Sequence, residues 1–158
     1  MKRKIRSYVI SVAVSLGTGI VASLLTMKNM QIYQQVSTPA LSPPSFLFPV
    51  VWTVLYVLMG VSAAMVYNTK TSLFSQKKKA LDVYAVSLAV NFLWSIIFFN
   101  LNWFFFAFVW LVLLLFLVVV TIILYGRINP TAAYLQIPYA LWVSFAGYLN
   151  LGIWLLNK

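Results

Sequence analysis

The 158-residue sequence contains no cysteine and no histidine, and its only acidic residue is Asp82. Without cysteine there is no disulfide and no thiolate nucleophile. Without histidine the commonest metal ligand and proton shuttle is gone, and neither a Ser-His-Asp nor a Cys-His constellation can be assembled. A lone carboxylate excludes paired-carboxylate chemistry, and no glycine-rich phosphate loop is present. These absences exclude a conventional hydrolase or metalloenzyme: the chain offers no catalytic residue of the usual kind and no metal site, and requires no cofactor. Charge is also scarce, at 8% of residues against roughly 25% in soluble domains. What charge remains is positive, +10 net. No soluble basic domain carries it, so nucleic acid is not the expected partner.

What the sequence has instead is apolar length. It is 63% hydrophobic, with a mean hydropathy of +0.96. A membrane-crossing helix needs about 20 mostly apolar residues, and five such runs occur, at approximately 8–27, 46–67, 80–99, 103–125 and 132–156. The expected fold is an all-α membrane protein, a bundle of five transmembrane helices in one domain spanning 1–158, with the lipid bilayer as its solvent. The first run follows the basic start Lys2-Arg3-Lys4-Ile5-Arg6. It is longer than a signal-peptide core and no Ala-x-Ala site follows, so it reads as a helix. Connections are short except for 28–45, which carries Pro39, Pro43 and Pro44. A loop of that length in a small bundle reads either as a functional lid or as a loose tether.

Basic residues set the orientation. Lys2, Arg3, Lys4, Arg6, Lys70, Lys77, Lys78, Lys79 and Arg127 fall on one side, leaving Lys28 and Lys158 on the other. The positive-inside bias places the N-terminus in the cytoplasm and the C-terminus outside, in a plasma or inner membrane. Asp82, beside the lysine run, reads as an interfacial charge, and Trp103 and Trp110 as interface or lipid-facing aromatics. No helix has an ionisable residue at its middle, which argues against an ion-coupled carrier.

Aromatics and amides recur at helical spacing. Phe48, Trp52 and Tyr56 share a face of the second run, Asn91 and Trp94 a face of the third, and Tyr139, Trp142, Ala146, Leu149 and Asn150 a face of the fifth. Asn91 and Asn150 lie within the bilayer span, where an unpaired amide is costly, so both should point into the bundle. Such stripes can glue helices together, or they can line a cavity for a flat apolar ligand. Two small-residue pairs, Gly60/Ala64 and Ala85/Ala89, allow close helix approach, and Ala85/Ala89 is the candidate homodimer face.

Three blocks carry a resemblance. They are Pro39-Ala40-Leu41-Ser42-Pro43-Pro44 with Phe48 and Val51-Trp52-Thr53-Val54-Leu55-Tyr56; Asn91-Phe92-Leu93-Trp94-Ser95 with Phe98-Phe99; and Pro138-Tyr139-x-x-Trp142 through Phe145-Ala146-x-x-Leu149-Asn150. In this order over five helices the chain resembles the TspO/MBR family of tryptophan-rich sensory and translocator proteins. The resemblance implies a five-helix bundle that often dimerises, with a cavity under the first loop. It also implies porphyrin, haem or similar aromatic ligands, sensed, carried passively, or broken down under light through pocket tryptophans. Carried over, Trp52 and Trp142 would be the pocket indoles, and the photochemical residues if degradation occurs. Asn91, Tyr139, Ala146, Leu149 and Asn150 would line the cavity, and Pro43 and Pro44 would shape the lid. The family's loop tryptophans and lysine are replaced here by Ile32, Leu41 and Thr38. No basic residue follows Tyr148 closely enough for the sterol-type pattern.

Overall fold

The computed structural model of the protein describes residues 2–158. It is all-helical, with no strand among the described residues. Helix α1 spans Lys2–Thr26, followed by a short 3-10 turn, Met27–Asn29, and the four-residue α2, Ile32–Gln35. Then come α3 (Leu47–Asn68), α4 (Phe74–Ser95) running into a π-helical turn (Ile96–Asn100), α5 (Phe104–Gly126) and α6 (Pro130–Leu156). The five long helices are each apolar and long enough to cross a membrane. Two begin six residues earlier than their hydrophobic runs, α1 at Lys2 and α4 at Phe74 rather than at 8 and 80, and α6 begins two earlier, at Pro130. The backbone keeps its helical hydrogen bonds beyond the apolar stretch, so the basic residues of both segments ride on a helix. Within α4, exposed Lys78 and Asp82 pair across one turn, Nζ to carboxylate, at 2.7 Å.

Around the bundle the order is α1, α3, α6, α5, α4, with α4 returning to α1. Local sequence explains several corners. Asn102 takes a left-handed conformation (φ 55°) in the turn from α4 to α5, which asparagine tolerates better than most residues. Asn129 caps α6, its side chain accepting from the Ala132 N–H at 3.3 Å, with Pro130 in the first turn where a missing N–H costs nothing. Trp110 is not simply lipid-facing: its indole N–H donates to the Val90 carbonyl at 2.8 Å and pins α5 to α4. Trp103, in contrast, is exposed.

The half of the bundle nearest the basic ends is closed by small residues. A Cβ on Gly60 would fall 2.5 Å from the Val12 Cα, so α1 and α3 touch backbone to backbone there. The Gly60/Ala64 pair thus packs inside the chain, whereas Ala85 and Ala89 lie exposed on the outside of α4. Buried hydroxyls and amides find partners across the helices: Ser15 donates to the Tyr56 carbonyl (2.7 Å), Ser62 to the Ala132 carbonyl (2.7 Å), and Gln136 to Ser62 (3.2 Å). Without water to substitute, each such bond spares the bundle an unsatisfied polar group.

Candidate functional site

The opposite half of the bundle is hollow. A cavity of about 440 Å³, within the usual range for small-molecule sites, lies between α1, α3, α4 and α6 under α2. Phe48, Trp52 and Tyr56 of α3, Trp94 of α4, and Phe98 and Phe99 of the π-helical turn form its aromatic walls. A π turn inserts an extra residue into the helical repeat, and here it brings two consecutive phenylalanines to the same cavity. The Trp52 and Trp94 ring centroids lie 6.4 Å apart, and Trp52 is 5.6 Å from Tyr56. Ala146, Leu149 and Asn150 of α6 complete the wall. Among the described residues no lysine, arginine or carboxylate lines this space.

The two amides hold the walls in place. Asn91 accepts from the Tyr56 hydroxyl at 3.1 Å and donates to the Tyr139 hydroxyl at 2.6 Å, linking α3, α4 and α6. Asn150 accepts from the Trp94 indole at 3.2 Å and donates to the Phe104 carbonyl at 2.7 Å, linking α4, α6 and α5. Both amides are 1% exposed. Helix glue and cavity lining are therefore the same residues. Each amide retains one N–H and one lone pair beyond these bonds, which gives the apolar space a small polar capacity.

The residues from 28 to 45 form a roof rather than a loose tether. Ser37 and Asn157 exchange two hydrogen bonds, at 2.9 and 2.8 Å, and the Tyr148 hydroxyl donates to the Ala40 carbonyl at 2.7 Å. Pro39 lies so close to Gly152 that an added Cβ would sit 2.6 Å from the proline ring. Pro43 accepts from the Tyr33 hydroxyl at 3.3 Å, and burial raises the Tyr33 pKa above its ordinary value while a bond to Ser42 works against the shift. Leu41, at φ 68°, makes the sharp turn between the prolines and is itself exposed. Pro39, Pro43 and Pro44 thus shape the roof without lining the cavity.

Two residues expected in the pocket lie elsewhere. Tyr139 is 1% exposed and stands behind Asn91, as a positioning residue one layer from the cavity. Trp142 lines a separate apolar groove with Val51, Leu55, Leu58 and Pro138, where α3 closes on α6, and its indole N–H has no partner among the described residues. Phe48 meets the Trp142 ring edge-on at 5.9 Å, between the indole and the cavity. Trp142 shares a helical face with Ala146 and Leu149, but it sits a turn nearer the closed half. The second cavity indole is Trp94.

Sequence reasoning missed α1 altogether. Leu16, Gly19, Ala22, Ser23 and Thr26 line the cavity, and a Cβ on Gly19 would fall 2.3 Å from the Tyr56 ring. The signal is present as a stripe of small residues, Ser15, Gly19, Ala22 and Thr26, at spacings of four, three and four, with Ser23 beside it. The π turn and the roof residues Gln31 and Gln34 left no periodic trace.

Comparison with known proteins agrees with this architecture. The TspO/MBR family model matches residues 10–155. The chain belongs to the TspO/MBR family. Tryptophan-rich protein TspO of Chlorobaculum tepidum is 34% identical over 99% of this chain and 99% of its own. Protein CrtK of Rhodobacter capsulatus is 38% identical over 79% of this chain and 78% of its own. The Translocator protein of Homo sapiens is 28% identical over 91% and 85%. The TspO/MBR blocks of the sequence fall on the roof and α3, on α4 with its π turn, and on α6, the three parts that enclose the cavity beside α1.

Proposed function

We propose that this TspO/MBR protein is a membrane receptor for flat, apolar, aromatic molecules, with porphyrins and haem-like tetrapyrroles foremost, held in the roofed cavity. The observation that carries this reading is the lining itself: two indoles, two phenols (Tyr56 in the wall and Tyr33 in the roof) and three phenyl rings around about 440 Å³, with amides and hydroxyls for polarity. Aromatic walls with a few placed polar groups suit a rigid π-system, whose burial costs little conformational entropy. Trp52 and Trp94 stack on the ligand, and the spare amide groups of Asn91 and Asn150 set its orientation. Titration of the purified protein with protoporphyrin IX in the dark is the test. Saturable tryptophan quenching should occur, and its midpoint should rise at least about tenfold, equivalent to 1.4 kcal/mol, in the variant Trp52→Phe with Trp94→Phe. An unchanged midpoint would remove the assignment.

The 6.4 Å spacing of Trp52 and Trp94 favours a second reading, light-dependent breakdown of bound porphyrin by cavity indoles, with no acid, base or metal. Under illumination the bound porphyrin should bleach faster than free porphyrin in the same detergent; equal rates would reject it. Passive carriage would add flux across proteoliposomes over empty ones. The exposed Ala85/Ala89 face supports a homodimer through α4, which a strict monomer at all concentrations would contradict. The distribution of basic residues supports a cytoplasmic N-terminus and an outer C-terminus in a plasma or inner membrane.

A further inference from the structure

The edges of the cavity are not equally secured. On the α6 side the roof is fastened by the Ser37–Asn157 pair, by Tyr148 on Ala40, and by Pro39 against Gly152. On the α4 side Asn100 of the π turn donates to the Leu25 carbonyl at 3.1 Å and accepts from Asn29 at 2.9 Å, tying the end of α1 to α4. Between α1 and α3 the fastening stops halfway. Ser7 accepts from Asn68 and Ser15 donates to Tyr56 in the closed half. Beyond them the hydroxyls turn back to their own helices, Thr18 to Val14, Thr26 to Ala22, Thr53 to Pro49. No side-chain hydrogen bond crosses from α1 to α3 there among the described residues.

The cavity reaches the surface along this same seam. Ile20 and Ser23 of α1 and Pro49 and Thr53 of α3 all line the cavity, and all are exposed. Above them, at the level of the roof, the exposed lining residues are Gln31, Gln34 and Ser45. The mouth is thus a slot with a polar upper lip and a mostly apolar lower part, set in the side of a bundle whose outer surface faces hydrocarbon. Chemistry along the slot fits a lipid-dissolved, uncharged molecule better than an ion: neither the slot nor the cavity wall offers a cation or a carboxylate, and moving a charge into such a space is costly.

We propose that ligands enter and leave the cavity sideways, from the bilayer leaflet on the roof side, through the slot between α1 and α3, and that the roof stays shut while they do. This doorway rests on the cavity being the ligand site. Its substrate class is a neutral, membrane-partitioned aromatic molecule, and the ester of a porphyrin should use it more readily than the free diacid.

The test uses full-length protein in liposomes and protoporphyrin IX dimethyl ester, delivered already dissolved in the lipid and followed by its own fluorescence after rapid mixing. Thr53→Trp, and separately Ile20→Trp, should block the slot and slow association and dissociation together, each at least about tenfold. Because the chain has no cysteine, Ser37→Cys with Asn157→Cys introduces the only thiols, and oxidising them locks the roof; association should be unchanged. Each variant is checked for a single monodisperse peak, and having a blocking residue on either helix guards against one that misfolds. Full-speed association in both slot variants, or loss of association on locking the roof, would overturn the doorway while leaving the pocket intact. Absence of saturable binding in the unmodified protein would instead remove the pocket, and the doorway with it.

Discussion

The two halves of this bundle are built from the same five helices and behave as opposites. Near the basic ends, Gly60 lies on Val12, and Ala63, Ala64, Ala80 and Ala132 are almost fully buried. Side chains that small let backbones meet, and van der Waals contact holds helices together where lipid leaves no hydrophobic force between them. Toward the roof the same helices present Trp52, Trp94, Phe98 and Phe99, whose rings meet at tilted and edge-on angles. Large rigid groups set at such angles hold helices apart and wall a space without filling it. Asn91 and Asn150 then fix the spacing by bonding three helices each. The comparison teaches that a cavity in a membrane bundle is held open by its aromatics and its amides jointly.

The largest expected effect comes from disturbing the closed half. Gly60→Val puts a branched side chain into the Val12 backbone and should cost about 3 kcal/mol, the upper part of the usual range for overpacking, read as a clear fall in thermal unfolding temperature in detergent. A smaller effect follows at the boundary between the halves. Asn91→Ala strands the Tyr56 and Tyr139 hydroxyls, and should cost about 1–2 kcal/mol, with weakened porphyrin binding because Tyr56 is no longer held. The smallest is Trp142→Phe. Since that indole lies outside the cavity and its N–H has no partner among the described residues, porphyrin affinity should change less than about twofold. A large loss of binding in Trp142→Phe would mean that the hollow half extends past Phe48, and the division drawn here would fail.

Much of this is legible in the sequence. Runs of apolar residues locate five helices because a membrane span has a fixed length, and spacings of three and four place Phe48, Trp52 and Tyr56, or Ala146, Leu149 and Asn150, on one face. Periodicity gives the face and not the depth, so Trp142 groups with residues a turn farther along α6 that reach the cavity. It also cannot register the extra residue of a π turn, so helical spacing alone does not bring Phe99 to the site. The contribution of α1 went unread for a different reason: Gly19, Ala22 and Ser23 shape the cavity by being small. The roof was ambiguous because its order comes from partners distant in sequence, Tyr148, Gly152 and Asn157.

The central claim, that the hollow half is a ligand site held open by its walls, is tested most directly by filling it. Ala146→Phe adds a ring where α6 borders the cavity, at a position with space beside it. Protoporphyrin IX titrated against this variant and the unmodified protein should show affinity lowered at least about tenfold, while the thermal unfolding temperature holds or rises because an internal void has been filled. Unchanged affinity in a folded Ala146→Phe protein would contradict the account, because the ligand would then sit somewhere else.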